Sequence, residues 1–399
     1  MKKRYITTTL ALMLLSAAVT YGITFFSMQK VAGGQVEAFN KITAQYNRIY
    51  EVQSNIETLY VNDYDEDKMI EGALTGMVAY LGDRWSHYLN EEEFNEYVES
   101  SSGNMVGIGV NVIEDETTGG IRVIDVYANS PAAAAGMKIG DVVVSVNDEQ
   151  VSTIGYQTAV DRVRGAAGTV VRLSVYRESE KKNLPMSITR AQVQVENVKA
   201  QMFGNVGYVK IRGFDLGVSD QFITAVHNLQ SAGAKAFVFD VRNNPGGAMT
   251  ELVACLDILL PECTIITARD KAGNEEKFTS DASEITLPMA VLTNENSYSA
   301  AEFFAASLQE HHKAAVIGTA TTGKGCAQRA IKLKNGGGLV LSISKYYTAN
   351  GVSLADTQGI RPDVEVKLND EQAQHFYTLA PEADPQIQAA FQNVRAQIK

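Results

Sequence analysis

The stretch Asn294–Gln328 reads NENSYSAAEFFAASLQEHHKAAVIGTATTGKGCAQ, and it decides how the rest of the chain is read. The apolar run Met289–Leu292 comes just before it, and the helix-compatible segment Ala300–Glu310 follows Ser299 directly. That order predicts a strand, a tight turn and a helix, with a hydroxyl at the helix entrance. Further on, Lys324 stands between two glycines and Gln328 follows four residues later. A spacing of four puts two side chains on the same side of a helix or a strand. A serine nucleophile needs a group to take its proton, and a neutral lysine is one such group. The residues therefore nominate Ser299 as nucleophile, Lys324 as base and Gln328 as the group that orients the lysine.

A second reading of the same serine is purely structural. Ser299-Ala300-Ala301-Glu302 fits a capping box, in which a serine caps a helix and the glutamate answers three residues on. The two roles are compatible, because a helix N-terminus favours a developing oxyanion. Taken together, Ser297-Tyr298-Ser299-Ala300-Ala301-Glu302 and Gly323-Lys324-Gly325-Cys326-Ala327-Gln328 resemble the active-site region of the carboxy-terminal processing peptidases, the tail-specific proteases. That family usually has alanine where Tyr298 stands and serine where Cys326 stands. Neither departure replaces a catalytic side chain, although Tyr298 can reshape the adjoining pocket.

Composition narrows the rest. The 399 residues suffice for two or three domains, and a hydrophobic content of 45% allows a sizeable core. A net charge of −11 argues against a nucleic-acid surface. The cysteines Cys255, Cys263 and Cys326 make no disulfide framework, and the histidines show no metal-ligand spacing. No G-x-S-x-G elbow is present, so neither a His-based triad nor a zinc hydrolase is supported, and no cofactor is expected.

At the N-terminus, Lys2, Lys3 and Arg4 precede a mostly apolar run from Tyr5 to Phe26. About 20 such residues cross a bilayer. No convincing cleavage site follows, so residues 1–29 read as a membrane signal-anchor, with a cleaved signal peptide as the alternative. The basic end stays in the cytoplasm under the positive-inside rule, which makes the rest extracytoplasmic.

Phe39, Ile42, Tyr46, Ile49, Gln53, Ile56 and Tyr60 follow a helical spacing, which gives one apolar stripe within Val36–Tyr60. Such a stripe packs on its own domain or forms the seam of a homodimer. Helices are also expected over Asp65–Tyr80 and Glu91–Val98. The stretch Glu71–Leu89 resembles the family's N-terminal segment, which more often has proline and tyrosine where Arg84 and Trp85 stand. That region reads as structural.

From Ser101 to Arg190 the pattern changes to short strands, with turns at Ser130-Pro131, Gly136 and Gly140-Asp141 and a helix over Thr158–Arg164. This resembles a PDZ domain over its full length. In that family the loop before the second strand offers backbone N–H groups to a terminal carboxylate, and a strand edge pairs with the peptide. The loop here is Val106, Gly107, Ile108 and Gly109. Residues Val193–Val366 alternate strands and helices. Within them, Asn244-Pro245-Gly246-Gly247 matches the family segment that supplies an oxyanion-hole amide, from Gly246 or Gly247, with Ala300 as the second donor.

The expectation is an α+β multidomain chain. After the transmembrane segment come a helical N-terminal region over 30–100, a PDZ β-domain over 101–190, and a crotonase/ClpP-like α/β core with the Ser-Lys site over 191–366. A C-terminal helical segment over 367–399 ends it. The resemblance implies a serine endopeptidase acting on proteins or peptides with free apolar C-termini, open to control by a regulatory partner. A membrane-tethered PDZ scaffold that does not cut is the alternative. A crotonase-like acyl-CoA enzyme needs neither the Ser-Lys pair nor the PDZ module.

Overall fold

A computed structural model of the chain describes residues 43–398 apart from 45, 102–104, 116, 194, 335 and 358. The apolar run Tyr5–Phe26, and with it Phe39 and Ile42 of the expected stripe, lie outside the described residues. Among those described, no helix is long and apolar enough to cross a membrane. The chain divides into two compact units after Gly72. In the first, residues 46–59 form helix α1, on which Tyr46 and Ile49 stand exposed, and Tyr60 just beyond it is exposed as well.

Helix α2 spans Glu66–Ala79, with Asp65 Oδ1 accepting the Lys68 N–H at its start (3.1 Å). Short strand β1 (His87–Leu89), helix α3 (Glu91–Ser101) and strand β2 (Met105–Gly107) follow. The PDZ-like sheet is built from β3 (Val110–Asp115), β4 (Gly120–Val126), β5 (Val142–Val146), β6 (Glu149–Gln150), β7 (Val170–Arg177) and β8 (Lys182–Thr189). Its order is β3-β4-β5-β7-β8, with β6 paired to β5, so β3 lies at the sheet edge. Alternate residues such as Val171, Leu173 and Val175 enter a core shared with Ile121, Val123 and Ile188. Helices α4 (Pro131–Ala134), α5 (Val151–Ile154) and α6 (Tyr156–Val163) cover it. Ser130 caps α4 through its side chain, and proline at the first helical position suits a missing N–H there. Gly109 passes so close to this cap that an added Cβ would lie 2.3 Å from Ser130 Cβ.

After β9 (Ala191–Val193), the rest of the chain holds a six-stranded sheet in the order β10-β11-β12-β15-β16-β19. These strands are Val198–Phe203, Val206–Ile211, Ala236–Asp240, Met289–Thr293, Ala314–Gly318 and Val364–Glu365. All neighbours run parallel except β10 and β11. Period-two alternation splits each central strand between two cores. Phe237, Phe239, Met289 and Val291 face helices α7 (Val218–Ser231), α8 (Met249–Asp257) and α9 (Ala300–Glu310). Ala236, Val238, Ala290 and Leu292 face Ile387, Ala390, Phe391 and Val394 of α11 (Pro385–Arg395), which follows the short α10 (Asp370–Gln374). Burial on both faces explains why these strands read as continuous apolar runs. A second, antiparallel sheet joins β13 (Thr264–Asp270), β14 (Glu275–Thr279), β17 (Cys326–Lys332) and β18 (Gly338–Thr348) to β1.

The PDZ-like sheet is fastened to the body at Asp125, which receives Lys199 Nζ (2.9 Å) and Arg212 Nη1 (2.5 Å). A second fastening sits below the catalytic loops. The buried Arg242 donates to Asp240 (2.7 Å), to Asp384 (2.8 Å) and to Gln386 (2.7 Å), tying the end of β12 to the start of α11.

Candidate active site

Strands β12 and β15 are parallel neighbours, so residues 241–248 and 294–299 leave the same end of the sheet. In open α/β sheets, ligands sit outside the carboxyl ends of the strands. Ser299 stands there at the N-cap of α9 with φ +56° and ψ −122°, a conformation that residues bearing a Cβ adopt only when their surroundings impose it. The imposing contacts are visible. The Tyr298 N–H donates to the Asn244 carbonyl (3.1 Å), and the Thr322 N–H donates to the Ser297 carbonyl (3.2 Å). Ser297 Oγ donates to the Val241 carbonyl (2.8 Å).

The capping-box arrangement is present, but its hydrogen bonding is one-sided. Glu302 Oε2 accepts the Ser299 N–H (2.8 Å). The Glu302 N–H donates to the Ser299 carbonyl (2.9 Å), and the serine hydroxyl makes no cap hydrogen bond. Glu302 is fully buried and does more than cap. Its Oε2 also accepts the Lys324 N–H (2.7 Å), while Oε1 accepts the Gly323 N–H (2.7 Å) and the Thr321 hydroxyl (2.5 Å). One carboxylate therefore ties the serine turn to the lysine loop. Its oxygens are thus paired with donors although it is out of water.

The Asn244–Gly247 turn lies against Ser299. Gly246 has φ +94°, and an added Cβ would fall 2.8 Å from Ser299 Cβ. Its N–H is already taken by Asn244 Oδ1 (2.8 Å). Gly247 is pressed onto Phe214, where an added Cβ would lie 2.3 Å from the carbonyl oxygen. Among the described residues, neither the Gly247 nor the Ala300 N–H donates to an internal acceptor.

Lys324 lies outside the strand that holds Gln328. Strand β17 begins at Cys326, and its register against β18 shifts between Ala327 and Gln328. The flanking glycines account for this: Gly323 has φ +88°, and Gly325 packs so tightly that an added Cβ would lie 2.4 Å from the Ala355 nitrogen. Burial lowers the pKa of Lys324 below the ordinary lysine value, against the opposing pull of Cys326, Asp83 and Glu302. The amide of Gln328 donates to the Trp85 carbonyl (2.5 Å) rather than to the lysine.

The residues that sequence reading left out are Asp83–Ser86. Pairing of β1 with β18 carries them into the site, where Ser86 Oγ accepts the Ser342 N–H (3.0 Å). Lys324 Nζ lies 4.7 Å from the Trp85 ring centroid, and the Trp85 and Tyr298 rings lie 6.2 Å apart. The available signal was that Arg84, Trp85 and Tyr298 all depart from the residues usual in the family.

Val106–Gly109 line a cavity of about 1490 Å³ that is also lined by Asn243 and by Pro245 of the Asn244–Gly247 turn. Edge strand β3 and helix α6 form its walls near that loop, with Tyr156 Oη donating to the Val112 carbonyl (3.4 Å).

Residues 205–366 match Peptidase family S41, residues 122–177 match a PDZ domain, and residues 13–93 match the Activating protease CtpB N-terminal domain. The chain is 31% identical over 369 residues to the carboxy-terminal processing protease CtpA of Bacillus subtilis, covering 90% of this chain and 77% of that one. In fold it is similar to a putative S41 protease from Bacteroides fragilis, at a TM-score of 0.59 and 18% identity, covering 85% and 93% of the two chains. It is also similar to a photosystem II D1 C-terminal processing protease, at a TM-score of 0.51 and 23% identity, covering 80% and 86%. The S41 fold, the PDZ domain and this degree of identity lead to one conclusion: the chain belongs to peptidase family S41, among the carboxy-terminal processing serine proteases.

Proposed function

We propose that the chain is an extracytoplasmic serine endopeptidase that hydrolyses peptide bonds through an acyl-enzyme on Ser299. Lys324 accepts the serine proton and returns it to the leaving amine. A lysine at its ordinary pKa near 10.4 is a poor base at neutral pH, and burial works in the required direction. Gln328 orients the lysine end of the site through its contact with Trp85. The N–H groups of Gly247 and Ala300 receive the oxyanion, which their lack of internal acceptors favours. The observation that carries this reading is the buried Glu302 carboxylate, which fastens the backbones of Ser299 and Lys324 to one another.

The PDZ domain supplies the substrate logic. A protein with a free apolar C-terminus adds a strand to the β3 edge and places its carboxylate at Val106–Gly109. The cavity leading on to Pro245 gives the chain a route to the serine. An N-terminal membrane tether, a homodimer seam along the exposed Tyr46 and Ile49 of α1, and a regulatory partner complete the proposal.

The test uses the full-length chain in detergent micelles beside its Ser299→Ala twin. Each is incubated with an unfolded protein carrying an apolar C-terminus, and fragments are identified by mass. Cleavage by the parent alone is the expected result. If neither chain cuts while tail binding persists, the protein is a PDZ scaffold instead.

A further inference from the structure

We propose that Trp85 is a positioning residue for the catalytic base: its ring receives the protonated Lys324 amine and its carbonyl receives the Gln328 amide. The short segment Asp83–Ser86 then sets where the lysine rests and in which charge state. This inference builds on the reading of Lys324 as the base. Five contacts carry it. Lys324 Nζ lies 4.7 Å from the ring centroid, and Gln328 Nε2 donates to the Trp85 carbonyl at 2.5 Å. Arg84 Cζ lies 4.4 Å from the same ring while its Nη2 donates to the Thr322 carbonyl (3.1 Å), two residues before the lysine. Tyr298, the residue just before the nucleophile, packs its ring beside the indole.

An aromatic face attracts an ammonium group and not a neutral amine. Trp85 therefore holds the lysine in the form that cannot accept a proton, against the burial that favours the form that can. Of the charged and titratable groups facing Lys324, Asp83, Glu302 and Cys326 also favour the ammonium, whereas the Arg84 guanidinium on the same ring opposes it. Asp83 is fixed in place, accepting the Ser86 hydroxyl (2.6 Å) and the Trp85 N–H (3.0 Å). The same four-residue segment thus carries an anion and an aromatic ring that both store the proton. Release from Trp85 becomes part of bringing the base into action.

Trp85 is the only tryptophan in the chain, so its emission reports on this contact directly. The full-length Ser299→Ala chain, titrated with base and excited at the red edge of tryptophan absorption, should show one step in emission below the ordinary lysine pKa. That step should vanish in Ser299→Ala/Lys324→Met and survive in Ser299→Ala/Tyr298→Phe. A flat titration, or a step that persists without Lys324, overturns the proposal; because no turnover is read, either result leaves the catalytic reading standing. Kinetics give the second arm. The acid limb of kcat/KM should move to lower pH from the parent to Trp85→Phe to Trp85→Leu. The ratio of low-pH to high-pH rate should rise about threefold to thirtyfold. A loss of equal size at every pH in both variants means that the ring is structural only, and overturns it.

Discussion

Glu302 and Trp85 grip the same lysine from two parts of the chain, and they do opposite things. Glu302 lies one helical turn from the nucleophile and holds backbone: its carboxylate accepts N–H groups of Ser299, Gly323 and Lys324. Trp85 comes from far upstream and touches side chains: the Lys324 amine and the Gln328 amide. The first contact fixes where the loop can be. The second biases which of several side-chain positions and charge states the loop presents. A site built this way has a fixed backbone frame and a side chain held within it.

Substitutions that separate frame from occupant follow, from the largest effect to the smallest. Glu302→Ala removes the shared acceptor and leaves buried donors unpaired at several positions. Each unpaired buried donor costs about 1–3 kcal/mol, and misplacing a reacting group by about 1 Å costs about 100-fold in rate. Activity should fall by about 100-fold or more, with a lower unfolding midpoint in urea. Glu302→Gln keeps an acceptor but removes the charge that helps hold the Lys324 proton. Its residual activity should show an acid limb at lower pH than the parent, because rate rises as the lysine loses its proton.

Arg242→Met tests the frame from below. It leaves Asp384 buried without its cation and Asp240 with Lys210 alone, and breaking such a buried pair costs about 3–5 kcal/mol. Calorimetry should show the loss. Burial pushes the Asp240 carboxyl up, but Arg242 and Lys210 outweigh it and hold it well below the usual carboxylate range. A depressed carboxylate contributes stability above its unfolded pKa, near 3.9, and loses it as pH falls through the folded value. The deficit of Arg242→Met should therefore be full at neutral pH and shrink in strong acid.

Trp85→Leu tests the occupant. The expected change is the threefold to thirtyfold shift in rate ratio given above, with far less loss of stability than in Glu302→Ala. Equal losses in the two variants would remove the distinction between frame and occupant. The smallest effect belongs to Asp125→Asn. It weakens the fastening of the PDZ domain to Lys199 and Arg212 by about 1 kcal/mol, because Lys199 is part-exposed and screened by water. Cleavage of a long tailed substrate should fall more than cleavage of a short peptide.

By itself the sequence determined the elements whose cause is local. The apolar run Met289–Leu292 announced a strand, and β15 forms there. The linked motifs at Ser299 and Lys324 were legible because their spacing survives folding. Tertiary structure alone decided the partner of Gln328, the conformation of Lys324 and the arrival of Trp85. Period-two geometry aligned Lys324 with Gln328 only if both lay in one strand, and β17 begins at Cys326, after the lysine. Trp85 reaches the site because β1 pairs with β18, a contact between segments some 250 residues apart in the chain. No periodicity records such a pairing. A ring beside an amine is a property of the folded chain, and only the folded chain shows it.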